Sequence, residues 1–419
     1  MADSIYRAPK GTRDILWPDS ARWRRLVEVF ADVVGAAGYT HVVPPMFEHV
    51  DVFRRLGDAT DVVAKEMYEF LDKGGRSIAL RPEQTASVVR AFAEHRPVVP
   101  WKVWYAGPNF RYERAQKGRF RQFDQVGVEA LGPDDPHLDA EVIALAWRFY
   151  ERLGLRQVTL LLNSLGNPDD RARYVEALTA HFSADADALS AESRKTLTTN
   201  PLRVLDSPRT EDAELIDAAP QMPDFLSDDA ATHFAGVRAA LDALGIPYTV
   251  SPRLVRGLDY YLRTTFEFTA EALDAAQDAI GGGGRYDRLA EAMGAPPTPG
   301  VGFALGVDRT LLACDAEAVF DAPASAVDVF VVDTCGGDEA VLVTDEVRRA
   351  GLRADRAWDD RSMKAQMKAA DRSGAAIAVI IGEDERSGGN ATVRDLRGDA
   401  GQETVARTDL IENLRTRLQ

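Results

Sequence analysis

From Arg119 to Glu129 the chain alternates with a period of two. Arg119, Arg121, Phe123, Gln125, Gly127 and Glu129 fall on one face, and Phe120, Gln122, Asp124, Val126, Val128 and Ala130 on the other. Such alternation predicts a half-buried strand with its polar face in water. The polar face has an order of its own: two guanidiniums, a ring, an amide and a carboxylate. At about 3.3 Å per residue it spans roughly 33 Å, enough to meet phosphates, then a flat base, then a small polar group. A solvated edge strand fits the same alternation. Upstream, residues 103–111 read as a second strand, and Glu113, Arg114, Ala115, Gln116, Lys117 and Gly118 as a basic loop closing a hairpin. That hairpin would set Arg111 beside Arg119 and Arg121, and the planar fork of arginine matches phosphate oxygens.

The remaining pattern divides the chain. Apolar residues at Leu26, Val27, Phe30, Val33 and Val34 predict a helix over 20–37, and a short strand at 40–43 stops at Pro44-Pro45. Residues 81–93 begin as a turn and become helical, which places Glu83 and Thr85 near a helix N-terminus, where capping is their ordinary role. A helix over 138–153 and a strand over 157–162 follow. Residues 168–244 are rich in Ala and Asp, lack glycine between Gly166 and Gly236, and predict amphipathic helices with loose connections. Strand and turn chemistry returns at 248–268 and 279–289. There Gly281–Gly284 lie between a strand and a helix, a context that favours close backbone approach to a ligand over a flexible linker. Residues 301–307 read as a glycine-spaced strand running into a helix near Asp308-Arg309. Residues 322–326 read as a linker. Beyond them, strands and helices alternate as in a small α/β domain with a mostly parallel core.

Composition narrows the class. The 419 residues suffice for two or three domains, and 45% hydrophobic with 28% charged residues describe an ordinary globular protein. Cys314 and Cys335 form no CxxC pair, which excludes a disulfide framework and a cysteine-rich zinc module. The N-terminus has no apolar signal region, and no apolar run approaches the ~20 residues that span a bilayer. A cytoplasmic, non-membrane protein is expected. The net charge of −16 argues against nucleic acid as a partner of the whole surface, but the loop 114–121 is locally basic.

Six segments carry a family resemblance. FRYERAQKGRFRQFDQ, beginning at Phe110, resembles motif 2 of the class II aminoacyl-tRNA synthetases, in the form found in histidyl-tRNA synthetases. GYTHVVPPMFE (38–48) resembles motif 1, and PGVGFALGVDRTLL (299–312) motif 3. LRPEQT (80–85) is similar to the family's amino-acid-binding turn, and LVRGLDYYLRTTFEF (254–268) and GGGGRYDRL (281–289) to its histidine signatures. They occur in the family's order over nearly the whole chain. Two positions depart from its usual text: Asp124 stands where histidine is common, and Ala115 where proline is common. Because Asp124 falls on the face away from the ligands, little effect on the chemistry is expected.

The resemblance implies an α+β catalytic domain with an antiparallel sheet over 1–325, a helical insertion at about 168–244, and an α/β anticodon-binding domain over 326–419. It implies a homodimer that binds L-histidine, ATP and tRNA(His), with magnesium accompanying the ATP; its protein ligands cannot be named from spacing. In this reading the histidine carboxylate attacks the α-phosphorus of ATP. Arg111 and Arg256 carry the charge at the reacting centre. Arg119 and Arg121 hold the outer phosphates, Glu113 lies near the adenine or the metal, and Phe123 and Arg309 sandwich the base. Glu83, Thr85 and Gln125 accept from the α-ammonium. Glu129, Tyr260 and Tyr261 belong to the imidazole pocket, and Arg256 reaches the carboxylate. Arg114, Gln116 and Lys117 meet the tRNA acceptor stem, and the helix bearing Lys364 and Lys368 faces the anticodon. The alternative is a catalytically inactive, histidine-sensing regulatory subunit of ATP phosphoribosyltransferase.

Overall fold

The computed structural model describes residues 6–55, 65–114, 118–255, 260–274, 278–359 and 361–418. They separate into two compact units, one of 6–14 and Trp23–Asp321, the other of Ile15–Arg22 and 322–418. Along the first unit come β1 (Thr40–His41), three short strands β2 (Phe47–His49), β3 (Tyr68–Leu71) and β4 (Ser77–Leu80), and the long hairpin β5 (Trp101–Phe110) and β6 (Gln122–Leu131). Then follow β7 (Val158–Ser164), β8 (Thr249–Val250), β9 (Leu262–Ala270), β10 (Ala279–Arg285) and β11 (Gly300–Gly306).

Eight of these strands form one sheet in the order β1-β5-β6-β11-β10-β9-β7-β8. The six central strands are antiparallel, and the two-residue strands β1 and β8 pair parallel at the edges. This is the antiparallel architecture expected from the sequence. Val126, Val128 and Ala130 of β6 enter a core with Phe266, Phe268 and Phe303, closed by Leu26, Phe30 and Val34 of the helix Asp19–Gly35 and by Ile143, Ala146 and Phe149 of the helix Pro136–Leu153. Strand alternation therefore turns Phe123, Gln125, Gly127 and Glu129 to the opposite face. That face is not in water at its far end. The helix Thr85–His95, the sheet β2-β4-β3 and the rings of Tyr261 and Tyr286 cover it with a second core.

The four glycines Gly281–Gly284 lie within β10, not in a turn. A Cβ on Gly283 would stand 2.0 Å from the Gly302 carbonyl oxygen, so their smallness serves the approach of neighbouring strands. Between β7 and β8 the chain forms the helices Pro168–Ala184, Ala191–Thr199, Ala213–Asp217 and Asp228–Ala243. Tyr174, Leu178, Phe182, Val204 and Met222 give this stretch a small core of its own, while Phe234, Val237 and Leu241 of its last helix enter the main core.

In the second unit β12 (Val329–Asp333), β13 (Ala354–Arg356), β14 (Ile377–Ile381), β15 (Asn390–Asp395) and β16 (Gln402–Ala406) form a sheet in the order β13-β12-β14-β15-β16. The first three are parallel and the last two antiparallel, so the expected parallel core continues into a hairpin that short, polar strands did not announce.

Candidate active site

Glu129 is fully buried. Thr85 Oγ1 donates to it at 2.6 Å and the Tyr105 hydroxyl at 3.2 Å, both on one carboxylate oxygen, and the Tyr286 hydroxyl donates to the other. Register explains the convergence. Tyr105 pairs with Gly127 and Glu129 with Gly302, so each large side chain faces a glycine. A Cβ on Gly302 would lie 1.9 Å from the Glu129 oxygen, and one on Gly127 2.4 Å from the Tyr105 ring. Burial pushes Glu129 up to about 8. The Thr85, Tyr286 and Tyr105 hydroxyls pull against that rise, and the Glu83 charge adds to it.

Glu83 sits just before the helix Thr85–His95 and accepts from the Thr85 and Ala86 backbone N–H groups, each at 2.8 Å. It is thus a helix cap, and each oxygen keeps a lone pair for a further donor. Burial raises its pKa, against those amides and the nearby Arg111 charge. Tyr261 is 6% exposed and packs on Gly284, where a Cβ would meet its ring at 2.8 Å; its ring centroid is 4.7 Å from that of Tyr260.

Further along β6, Phe123 and Gln125 line a pocket of roughly 320 Å³ with Arg111, Glu113, Arg119 and Arg309. Arg111 Nε donates to the Pro82 carbonyl at 2.9 Å, and its guanidinium lies 5.2 Å over the Phe123 ring. Arg119 pairs with Glu113 at 2.9 Å. Arg309 donates to the Ala279 carbonyl at 2.7 Å, and burial together with Arg119 lowers its pKa. Gln125 Oε1 accepts from Asn109 Nδ2 at 2.8 Å, which fixes a side-chain amide expected to meet the α-ammonium.

Three expectations need correction. The strand begins at Gln122 rather than Arg119. Arg121 is adjacent to Arg111 through the backbone, with the Arg111 N–H donating to its carbonyl at 2.9 Å, but its guanidinium lies 3.9 Å over the Tyr112 ring and is not in the pocket wall. Asp124, placed by alternation on the far face, lines the same pocket as Phe123. There burial and then Asp308 push its carboxyl up to about 6, while Arg13 and Arg81 oppose the rise. The stretch before Gln122 is irregular, so simple alternation does not place the Arg121 side chain. Arg114 is exposed at the hairpin. Arg256, Gln116 and Lys117 lie outside the described residues.

A buried carboxylate ringed by three hydroxyls, continuous along one strand with a basic, aromatic pocket, suits a small polar substrate beside a nucleotide. The pattern of histidyl-tRNA synthetases matches residues 11–310, and that of an anticodon binding domain residues 327–417. The chain belongs to the histidyl-tRNA synthetase family. It is 47% identical over 407 residues to a histidine–tRNA ligase of Geobacillus kaustophilus, covering 95% of each chain. It is 48% identical over 417 residues to one of Rhodococcus erythropolis, covering 98% of each. The apo histidyl-tRNA synthetase of S. aureus superposes with a TM-score of 0.81 at 36% identity, over 98% of this chain and all of that one.

Several participants escaped the sequence reading. Tyr105 and Tyr286 reach Glu129 from strands whose order no local pattern states. Arg13 pairs with Asp308 and lies 4.3 Å over the Phe120 ring, while the Gly11 carbonyl accepts from the Arg121 N–H at 2.7 Å. The glycines opposite Tyr105 and Glu129 were the available signal, since a glycine inside a strand marks a close approach.

Proposed function

We propose that this chain is a histidine–tRNA ligase, activating L-histidine with ATP to histidyl-adenylate and pyrophosphate and then transferring histidine to the 3′ end of tRNA(His). The observation that carries this is the Glu129 site joined by β6 to the Phe123–Arg309 pocket. Glu129 accepts from the imidazole N–H, and Tyr261 supplies a hydroxyl to the same ring. A site that pairs both ring nitrogens leaves buried groups unmatched when an apolar side chain enters, which gives roughly 10⁴-fold rejection. Glu83, Thr85 and Gln125 hold the ammonium, and Tyr260 backs the pocket wall. Phe123 and Arg309 sandwich the adenine; Arg119 and Arg121 hold the outer phosphates. Arg121 reaches them by leaving the Tyr112 ring. Arg111 and Arg256 neutralise the carboxylate and α-phosphate as they meet.

Magnesium comes with the ATP. Glu113 and Glu267 both line the pocket and would offer this ion the hard oxygens it takes. In the ligase reading, 1–325 is the catalytic domain, 168–244 its insertion and 326–419 the anticodon-binding domain. Arg114, Gln116 and Lys117 meet the acceptor stem. Exposed Val43, Met46 and Phe47, next to the edge strand β1, supply an apolar face for a homodimer. No helix of the described residues is long and apolar enough to cross a membrane, and the cytoplasm is the proposed location.

The regulatory-subunit reading is not favoured. An ATP phosphoribosyltransferase regulatory subunit/histidyl-tRNA synthetase from Bacillus halodurans C is 20% identical with a TM-score of 0.62, a likeness that shows the fold alone. Charging of tRNA(His) with labelled histidine tests the proposal: accumulation of histidyl-tRNA supports it, and histidine binding without charging refutes it.

A further inference from the structure

Arg263 stands at an irregular opening of β9. Its φ is +49°, in the left-handed region that side-chain-bearing residues rarely adopt. Pairing with β10 skips here: Leu262 faces Arg285 and Thr265 faces Gly284, so Arg263 and Thr264 bulge from the ladder. The bulge begins two residues after Tyr261.

The backbone of Arg263 grips the chain leaving β7. Its N–H donates to the Gly166 carbonyl at 2.8 Å, and its carbonyl accepts from the Leu165 N–H at 2.7 Å. Its guanidinium, 14% exposed, then gathers three acceptors at 2.8 Å each: Asn167 Oδ1, Asp134 Oδ1 and Asp229 Oδ2. Asn167 caps the first helix of the insertion, Pro168–Ala184, and Asp229 lies in the first turn of its last, Asp228–Ala243. One side chain therefore touches both the first and the last helix of the insertion.

Thr264 extends the same tie inward. Its hydroxyl donates to Asp139 at 2.5 Å, and Asp139 also meets His233 Nε2 at 2.9 Å and the guanidinium of fully buried Arg285. His233 is four residues beyond Asp229, on the same face of the last helix. Arg285 precedes Tyr286, whose hydroxyl holds Glu129.

We propose that Arg263 is a positioning residue that ties the first and last helices of the insertion to the bulge beside Tyr261, so that the seating of the insertion sets histidine affinity. This rests on the assignment of Tyr261 to the histidine pocket. Asp134 and Asp229 are 50% and 69% exposed, and ion pairs to such partners add little stability. A strained backbone whose side chain makes two of its three contacts with solvent-facing carboxylates suits a tie that sets position more than one that adds stability. Because coupling is reciprocal, tRNA that reseats the insertion changes histidine affinity through the same tie.

The test is histidine-dependent ATP–pyrophosphate exchange in Arg263→Asn, Asp229→Ala, the double variant and Tyr261→Phe. Asparagine tolerates the left-handed backbone, so the bulge is retained. Arg263→Asn is expected to raise the histidine KM about fivefold to tenfold, with the ATP KM unchanged, and Asp229→Ala to raise it less. The double variant is expected to be no worse than Arg263→Asn. Partial misfolding would instead lower kcat and leave both KM values alone. An unchanged histidine KM in Arg263→Asn, or effects of the two substitutions that multiply, overturns the proposal. A silent Tyr261→Phe would sink the pocket assignment instead, whereas an active Tyr261→Phe beside a silent Arg263→Asn would sink the tie alone.

Discussion

Glu129 combines complete burial with three hydroxyl donors, and both properties make predictions. Glu129→Gln keeps the shape but puts an amide NH2 donor in place of one carboxyl oxygen. It is expected to lower kcat/KM for histidine by about 10²–10³-fold, with the ATP KM nearly unchanged, in steady-state exchange. The same carboxyl makes stability depend on pH. Its folded pKa is raised to about 8, above the ordinary carboxylate value, so the native state holds a proton that the unfolded chain has already released. Its contribution is complete below about pH 4.5 and is lost as pH rises toward 8, at up to about 1.4 kcal/mol per unit. Denaturant midpoints of the wild type should therefore fall relative to Glu129→Gln across that window. A constant difference would remove Glu129 as the cause. At the base end, Phe123→Ala is expected to raise the ATP KM about tenfold while leaving the histidine KM in place, because the proposed function sets the ring against the nucleotide alone.

Elements place these residues through the glycines between them. Gly302→Ala should displace the Glu129 carboxylate, since its Cβ would lie 1.9 Å from the oxygen. The expected outcome is a loss of about 1–3 kcal/mol in unfolding free energy together with weakened histidine binding, read by calorimetry on the folded variant. The hairpin, the helix after Glu83 and the C-terminal alternation were legible because each repeats a period over several residues. Tyr105 and Tyr286 were not, because their role depends on which strands become neighbours: β6 lies between β5 and β11, a fact of topology. The glycine run shows the same limit. Its residues signalled close approach, but the approaching groups are backbone and side chains of β11 and β9. The side chain of Arg121 was not legible for a local reason, since strand alternation was extended into the irregular stretch before Gln122.

At the scale of the whole molecule, activation and tRNA recognition are assigned to different parts of the chain. Lys364, Lys368 and Arg372 are exposed along the helix Met363–Ser373 of the second unit. Reversing Lys364 and Lys368 to glutamate should raise the KM for tRNA about tenfold in charging assays and leave pyrophosphate exchange unaffected, with a weaker salt dependence of tRNA binding. The net charge of −16 makes such local basic faces the available means of attracting RNA.

The most direct test of the central claim is ATP–pyrophosphate exchange with histidine against each of the other amino acids, in the wild type and in Arg256→Ala. Exchange supported by histidine alone and abolished in the variant is the predicted result. Histidine binding without exchange in the wild type, or exchange that persists with leucine or phenylalanine, would contradict the account.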